Sequence, residues 1–150
     1  MVALSLWVGY QTYDRSLTKD PRPAPGYSLN QDGGTLLPLE RRLAKLSGAL
    51  GLAATDPVLT AARQVAARPG LAASAWRDAV ALPCATESTW ERFGGSPDPT
   101  GALIHAAYGR TADAADRLNA ESATAGLTAP RQQLQALCVA VLSSPELVAQ

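Results

Sequence analysis

The sequence predicts a mainly α protein: a small orthogonal bundle of five to seven short helices over residues 38–150, preceded by an extended N-terminal arm and connector over residues 1–37. Three observations predict it. Beyond Pro38, apolar residues recur at spacings of three and four, without the alternation that a half-buried strand needs. The periodic segments repeatedly open on Asp, Ser or Thr beside proline or an acid, and they close on glycine or proline. Composition agrees, since 47% of the 150 residues are hydrophobic while only 5% are aromatic. Such a core is built from Leu, Val and Ala on thin helices at close approach.

The first helix follows Pro38, with Leu39, Leu43, Leu46 and Leu50 on one face and Gly48 and Gly51 marking its fraying end. Asp56-Pro57 starts the second: the carboxylate accepts from free backbone N–H groups, and proline needs none at the first helical position. Its stripe is Val58, Ala62 and Val65, and Arg68-Pro69-Gly70 stops it. The third runs over "LAASAWRDAVAL", placing Trp76 one turn from Ala79 and Val80; Pro83 ends it and leaves Cys84 in a loop.

Within the next irregular stretch, Thr86, Glu87 and Ser88 open a short helix through Trp90 and Phe93 that Gly94-Gly95 breaks. Asp98-Pro99 repeats the earlier cap and starts a helix carrying Leu103, Ile104, Ala107 and Tyr108, which Gly109 closes. Thr111 caps the following segment, with Asp113 in its first turn where the helix dipole favours an acid. Gly126 ends that segment, and Thr128 with Pro130 opens the last long helix, whose apolar face is Leu134, Leu137, Cys138 and Val141. "SSPEL" then restarts the chain in a new direction. Ser144 is placed to accept from the free N–H groups of a new turn, Pro145 needs no N–H there, and Glu146 suits the positive helix end. Leu147 and Val148 are expected to dock back on the bundle.

The N-terminal region reads differently. In "MVALSLWVGY" the residues Val2, Leu4, Leu6, Val8 and Tyr10 alternate with Ala3, Ser5, Trp7 and Gly9, the period of a strand, yet no second stretch of the chain alternates to pair with it. The segment therefore either pairs with another chain or lies as a short helix or extended arm over its own domain. Residues 18–37 carry Pro21, Pro23, Pro25, Gly26, Gly33 and Gly34, so this is a connector through which neither helix nor central strand runs. The decamer lacks a positive n-region and a small-residue cleavage site, and it is too short for a membrane span, which needs about 20 residues.

Thirteen basic residues balance thirteen acidic ones, so no global field draws in nucleic acid or an anionic bilayer. The local cluster Glu40, Arg41, Arg42 and Lys45 mixes signs and reads as the solvated face of a helix. Cys84 and Cys138 match no zinc or redox spacing. They read as two buried free thiols, with a disulfide as the alternative; a bridge would argue for an oxidising compartment. His105 is the single histidine, which leaves no two-histidine metal site within one chain. A Cys–His nucleophile would need Cys84 or Cys138 beside it, and Cys138 lies on an apolar stripe where burial disfavours thiolate. Asp113 and Asp116 share a helix face and read as surface partners of Arg117 and Arg110. "GGSPDPTG" lacks the lysine and spacing of a phosphate loop and is a turn.

The stretches "LIHAAYGRTADAADRLNA" and "RQQLQALCVAVLSSPELVA" resemble the end of several uncharacterised, mostly exported bacterial domain families, including those of planctomycete secreted proteins. The shared pattern is an apolar helix ending in Tyr and Gly-Arg, a Thr-capped second helix, and a third helix closing on Leu-x-Ser-Pro-Glu-Phe. Tyr108, Gly109, Arg110, Thr111, Leu142, Ser144, Pro145 and Glu146 match it. The chain departs at Leu147, where an aromatic is usual, and at Ala112, where proline is common. The resemblance covers the last third of the chain; it implies a helical, exported domain and brings no catalytic residues with it.

Together these readings favour a non-enzymatic structural or accessory subunit of a larger assembly, with a leaning to an extracytoplasmic bacterial location, no cofactor and no metal. Its docking element is the arm, since aromatic side chains are favoured in interfaces and three of the four tyrosines fall in residues 1–37. The candidate partner-binding residues are Leu4, Leu6, Trp7, Val8, Tyr10, Tyr13 and Tyr27, toward a protein partner or a second copy. The alternatives are a small hydrolase or thiol-dependent enzyme built on Cys84 or His105, and a phage or filament structural protein.

Overall fold

Helix-forming periodicity and caps carry the chain from Pro38 to its end, and the computed structural model, which describes residues 37–70 and 72–148, is helical throughout them. The described residues hold eight helices and no strand: α1 Leu39–Leu50, α2 Pro57–Ala66, α3 Ala72–Cys84, α4 Glu87–Phe93, α5 Pro99–Tyr108, α6 Ala114–Thr124, α7 Pro130–Leu142 and α8 Pro145–Val148. The expected mainly α bundle is what forms. The eighth helix, beyond the five to seven expected, is the single turn at α8. The chain divides into units of residues 1–36 and 37–150, and the strand, arm and connector readings fall outside the described residues except at Leu37, which belongs to the second unit. So do Leu4, Leu6, Trp7, Val8, Tyr10, Tyr13 and Tyr27.

The centre of the bundle is α7. It packs against α3, α6, α5 and α4, while α2 lies on α3, α1 lies on α5 and α2, and α8 lies on α1. Its sequence explains the placement: Leu134, Leu137, Cys138 and Val141 are buried as their spacing requires, and Leu142 is fully buried beside them. The α1 face is as read at Leu43, Leu46 and Leu50. The α2 face is rotated by one position. Leu59 and Ala62 are buried and Val58 and Val65 are half-buried, because the longer leucine takes the position that faces α3.

Caps behave as their chemistry demands in three places. The Asp56 carboxylate accepts from the Val58 N–H at 2.9 Å, the Thr86 hydroxyl from the Thr89 N–H at 3.3 Å, and the Asp98 carboxylate from the Gly101 N–H at 3.2 Å. Elsewhere the structure corrects the reading. The cap of α6 is Asp113, not Thr111: its side chain accepts from the Asp116 N–H at 2.9 Å while the Asp116 carboxylate accepts from the Asp113 N–H at 2.8 Å. Two carboxylates three residues apart close a reciprocal box that a lone threonine cannot. The cap position of α7 is Ala129, and no side chain caps that helix.

Nor does Pro83 end α3. Its fixed φ is compatible with a last helical turn, so the helix continues to Cys84, and Cys84 is buried in a helix rather than exposed in a loop. The Pro83 carbonyl is then met by two hydroxyls, Thr89 at 2.8 Å and Thr86 at 2.9 Å, which turns the chain into α4. That corner places Cys84 against α7, where it is joined to Cys138 in a disulfide with a Cα–Cα distance of 5.8 Å. The favoured reading of two buried free thiols is thus overturned, and the disulfide, its alternative, is what forms.

Trp76, 2% exposed, is the second tie between α3 and α7, its indole N–H donating to the Leu142 carbonyl at 3.1 Å. That bond satisfies one of the carbonyls a helix end leaves open. Arg42 lies over the Trp76 ring at 5.0 Å and donates to the Leu37 carbonyl at 2.9 Å. It is 8% exposed rather than solvated, and its burial lowers its pKa. Its position follows from register: the residue beside Leu43 on α1 faces α3 as soon as the leucines face the core.

The bridge closes a loop with a sequence separation of 54, for which the chain-entropy argument gives about 4 kcal/mol of stabilisation. Replacing both cysteines, as C84S/C138S, is expected to lower unfolding stability by about 2–4 kcal/mol in a urea titration. An unchanged midpoint would contradict a structural role for the bridge.

Candidate functional site

The thiol and histidine candidates do not converge. Cys84 and Cys138 are bonded to each other, so neither sulfur is a nucleophile, and His105 sits exposed on α5. Among the described residues no group of three His, Cys, Asp or Glu side chains could hold a metal ion.

A different set of polar residues does converge, at the meeting of α5, α6, α7 and α8. Gly109 ends α5 in the left-handed conformation, φ 68°, which turns the chain sharply and throws Arg110 back toward α8. The Arg110 guanidinium then bridges two elements. One edge reaches Asp116 of α6 at 2.6 Å, and the other reaches Glu146 of α8 at 2.6 and 2.9 Å. Planar guanidinium geometry suits such forked contacts better than any other cation.

Beneath this pair, the Tyr108 hydroxyl lies 2.5 Å from the Val141 carbonyl and 2.6 Å from the Ser144 hydroxyl. Ser144 therefore does not cap α8 with its side chain; its hydroxyl faces Tyr108, and its backbone carbonyl accepts from the Leu147 N–H at 3.1 Å. The reason is geometric: α8 is one turn long and is held from outside, with Leu147 fully buried and the Lys45 ammonium donating to the Leu147 carbonyl at 3.1 Å. The Leu37 N–H meets the Val148 carbonyl at 2.8 Å, so the start of the described chain is tied to its end.

Electrostatics follow from these contacts. Arg110 holds the Asp116 carboxyl well below the usual range, at about 2, helped by the Asp113 N–H. It also lowers Glu146, and the two carboxylates in turn raise Arg110. Burial pushes the Tyr108 phenol up to about 12. At neutral pH the cluster is a neutral phenol, a hydroxyl and a charge-paired trio, chemistry suited to holding elements in place.

Four further exposed pairs join neighbouring elements among the described residues: Glu40 with Arg63, Glu87 with Arg131, Asp98 with Arg117 and, more loosely at 3.9 Å, Asp78 with Arg68. Arg110 pairs with Asp116 as expected from sequence, but Arg117 turns to Asp98 rather than to Asp113. Beside the cluster lies a cavity of about 220 Å³ bounded by Ile104, Leu137, Ala140, Val141 and Asn119. A wider groove of about 700 Å³ runs between α3 and α6 over Ala81, Ala123, Ala136, Val139 and Ala140, with Arg77 on its rim.

No family model, curated protein or solved structure matches the chain.

The cluster brings together Tyr108, Gly109, Arg110, Ser144, Pro145 and Glu146, residues read in sequence as local stop and start signals. Their partnership across 36 positions, Tyr108 to Ser144 and Arg110 to Glu146, was missed because each has a sufficient local explanation.

Removing the phenolic hydroxyl, as Y108F, leaves the Val141 carbonyl without its donor and the Ser144 hydroxyl without its acceptor, and is expected to cost about 1–3 kcal/mol in a urea titration. The carboxylate pKa values are lowered on folding, so these pairs contribute stability above the unfolded carboxyl range of about 4. That contribution is lost as pH falls toward the folded value of Asp116, about 2. Thermal midpoints of the wild type should therefore drop between pH 5 and pH 2, and R110M should show a shallower drop. Equal slopes would show that Arg110 does not set these pKa values.

Proposed function

We propose that the protein is a non-enzymatic structural or accessory subunit, a bridged helical domain that docks to a protein partner or a second copy through its N-terminal arm. The observation that carries the reading is that the polar side chains that converge in the bundle are spent on structure, while His105 lies exposed and apart from them. Cys84 is consumed in the bridge, and Tyr108, Arg110, Asp116 and Glu146 fasten four helices to one another. What remains outside that economy is the aromatic and apolar content of the arm: Leu4, Leu6, Trp7, Val8, Tyr10, Tyr13 and Tyr27.

Location belongs to the same proposal. A buried disulfide in a domain of this size fits an oxidising compartment, which agrees with the exported character implied by the resemblance of the C-terminal third to bacterial secreted domains. A phage or filament protein remains a variant of this reading that differs in partner rather than in mechanism.

The test is the mass in solution by light scattering at matched concentration, for the full chain, for W7A/Y10A in the full chain, and for a chain lacking residues 1–30. The full chain is expected to associate, with itself or with a partner from the native source, and both variants to lose that association while keeping their helical circular dichroism. Association retained by both variants would overturn the docking role of the arm.

A further inference from the structure

Helix α6 differs from its neighbours in how it is held. It buries no side chain, whereas each other described helix buries at least two. The stripe it turns toward α7 is Asp116, Ala120, Ala123 and Thr124, all only half-buried, and its outer face carries Leu118 at 64% exposure. Methyl groups that are half in water contribute little to attachment. Three cavities along α7 border this helix. Asn119 and Ala120 line one of about 220 Å³, Asn119 and Ala123 one of about 700 Å³, and Thr124 one of about 260 Å³.

The ties that replace packing are ionic and lie at its first turn. Asp116 is held by Arg110, which in turn reaches Glu146 of α8 at 2.6 Å, and Arg117 reaches Asp98 through two bonds of 2.6 and 3.0 Å. The capping box between Asp113 and Asp116 is internal to the segment and moves with it. At either end stands a glycine with positive φ, Gly109 at 68° and Gly126 at 80°, and a Cβ added at either would meet nothing within 4 Å. Those glycines are therefore required by backbone conformation, not by crowding, and they can absorb dihedral change where another residue would resist it.

We propose that α6, with its flanking turns, is a hinged lid that opens as one unit while the rest of the bundle stays folded. Opening joins the three flanking cavities into one trough along α7, floored by Leu137, Ala140 and Val141. The disulfide and the Trp76 bond lie outside the lid and hold the floor in place during that motion, while the Arg110–Glu146 pair crosses from the lid's flanking turn to α8 and is broken by it.

The test is native-state amide hydrogen exchange followed by mass spectrometry on the full chain, with D98N as the variant. Asparagine retains a side-chain oxygen to cap α5 but loses the charge that holds Arg117. Amides of residues 117–124 are expected to exchange about tenfold faster than those of residues 134–142 in the wild type. D98N, or about 1 M NaCl, whose Debye length is about 3 Å, should accelerate the first group and leave the second unchanged. Equal protection of the two groups in the wild type, or D98N accelerating both together, would overturn the lid, because α6 would then open only with the whole bundle.

Discussion

Everything in the helical domain depends on holding α7 at the centre, and the Cys84–Cys138 bridge is the constraint that does so. It joins the last residue of α3 to the buried face of α7 at a place where both sulfurs are almost wholly out of water. A chain with one phenylalanine and little aromatic bulk has few large side chains to spend on a core. A covalent tie between two helices offsets that shortage by restricting the unfolded chain rather than by adding contacts. The corner that feeds Cys84 into position is built from hydroxyls, with Thr86 and Thr89 both donating to the carbonyl of Pro83.

Around that centre, the ends of the domain are closed by polar contacts aimed at open carbonyls. Trp76 meets Leu142, Tyr108 meets Val141, Lys45 meets Leu147, and the Leu37 N–H meets Val148. All four acceptors lie in α7 or α8, where helix termini leave carbonyls unpaired. One turn of helix has no stability of its own. α8 persists because Leu147 is fully buried, its carbonyls are satisfied from α1 and Leu37, and Glu146 is held by Arg110. The first described residue, the last turn and the middle of the chain are thereby made mutually dependent, while α6 is left attached chiefly through charge.

Periodicity and capping were enough to read the helical class, the order of elements, and most of the core, because those features are written within single segments. Leu43, Leu46 and Leu50 are buried as their spacing implies, and so are Trp76, Ala79, Val80, Leu103, Ile104, Leu134, Leu137 and Val141. Three kinds of feature were not legible. Competition between caps was decided by a neighbour, since Asp116 selects Asp113 over Thr111. Side chains with a plausible local task were recruited by distant ones, as when Tyr108 claims the Ser144 hydroxyl and Asp98 claims Arg117. The pairing of cysteines depends on how two helices approach, which spacing along the chain does not encode. Arg42 belongs to the second kind, charged in sequence and buried by its register beside the leucines of α1.

The bridge at the centre is open to one direct measurement: the intact mass of the full chain after denaturation in excess iodoacetamide, with and without prior reduction. The account predicts no alkylation without reductant and two alkylated cysteines with it. Two alkylated cysteines without reductant, in protein folded under oxidising conditions, would contradict the central role assigned to Cys84 and Cys138.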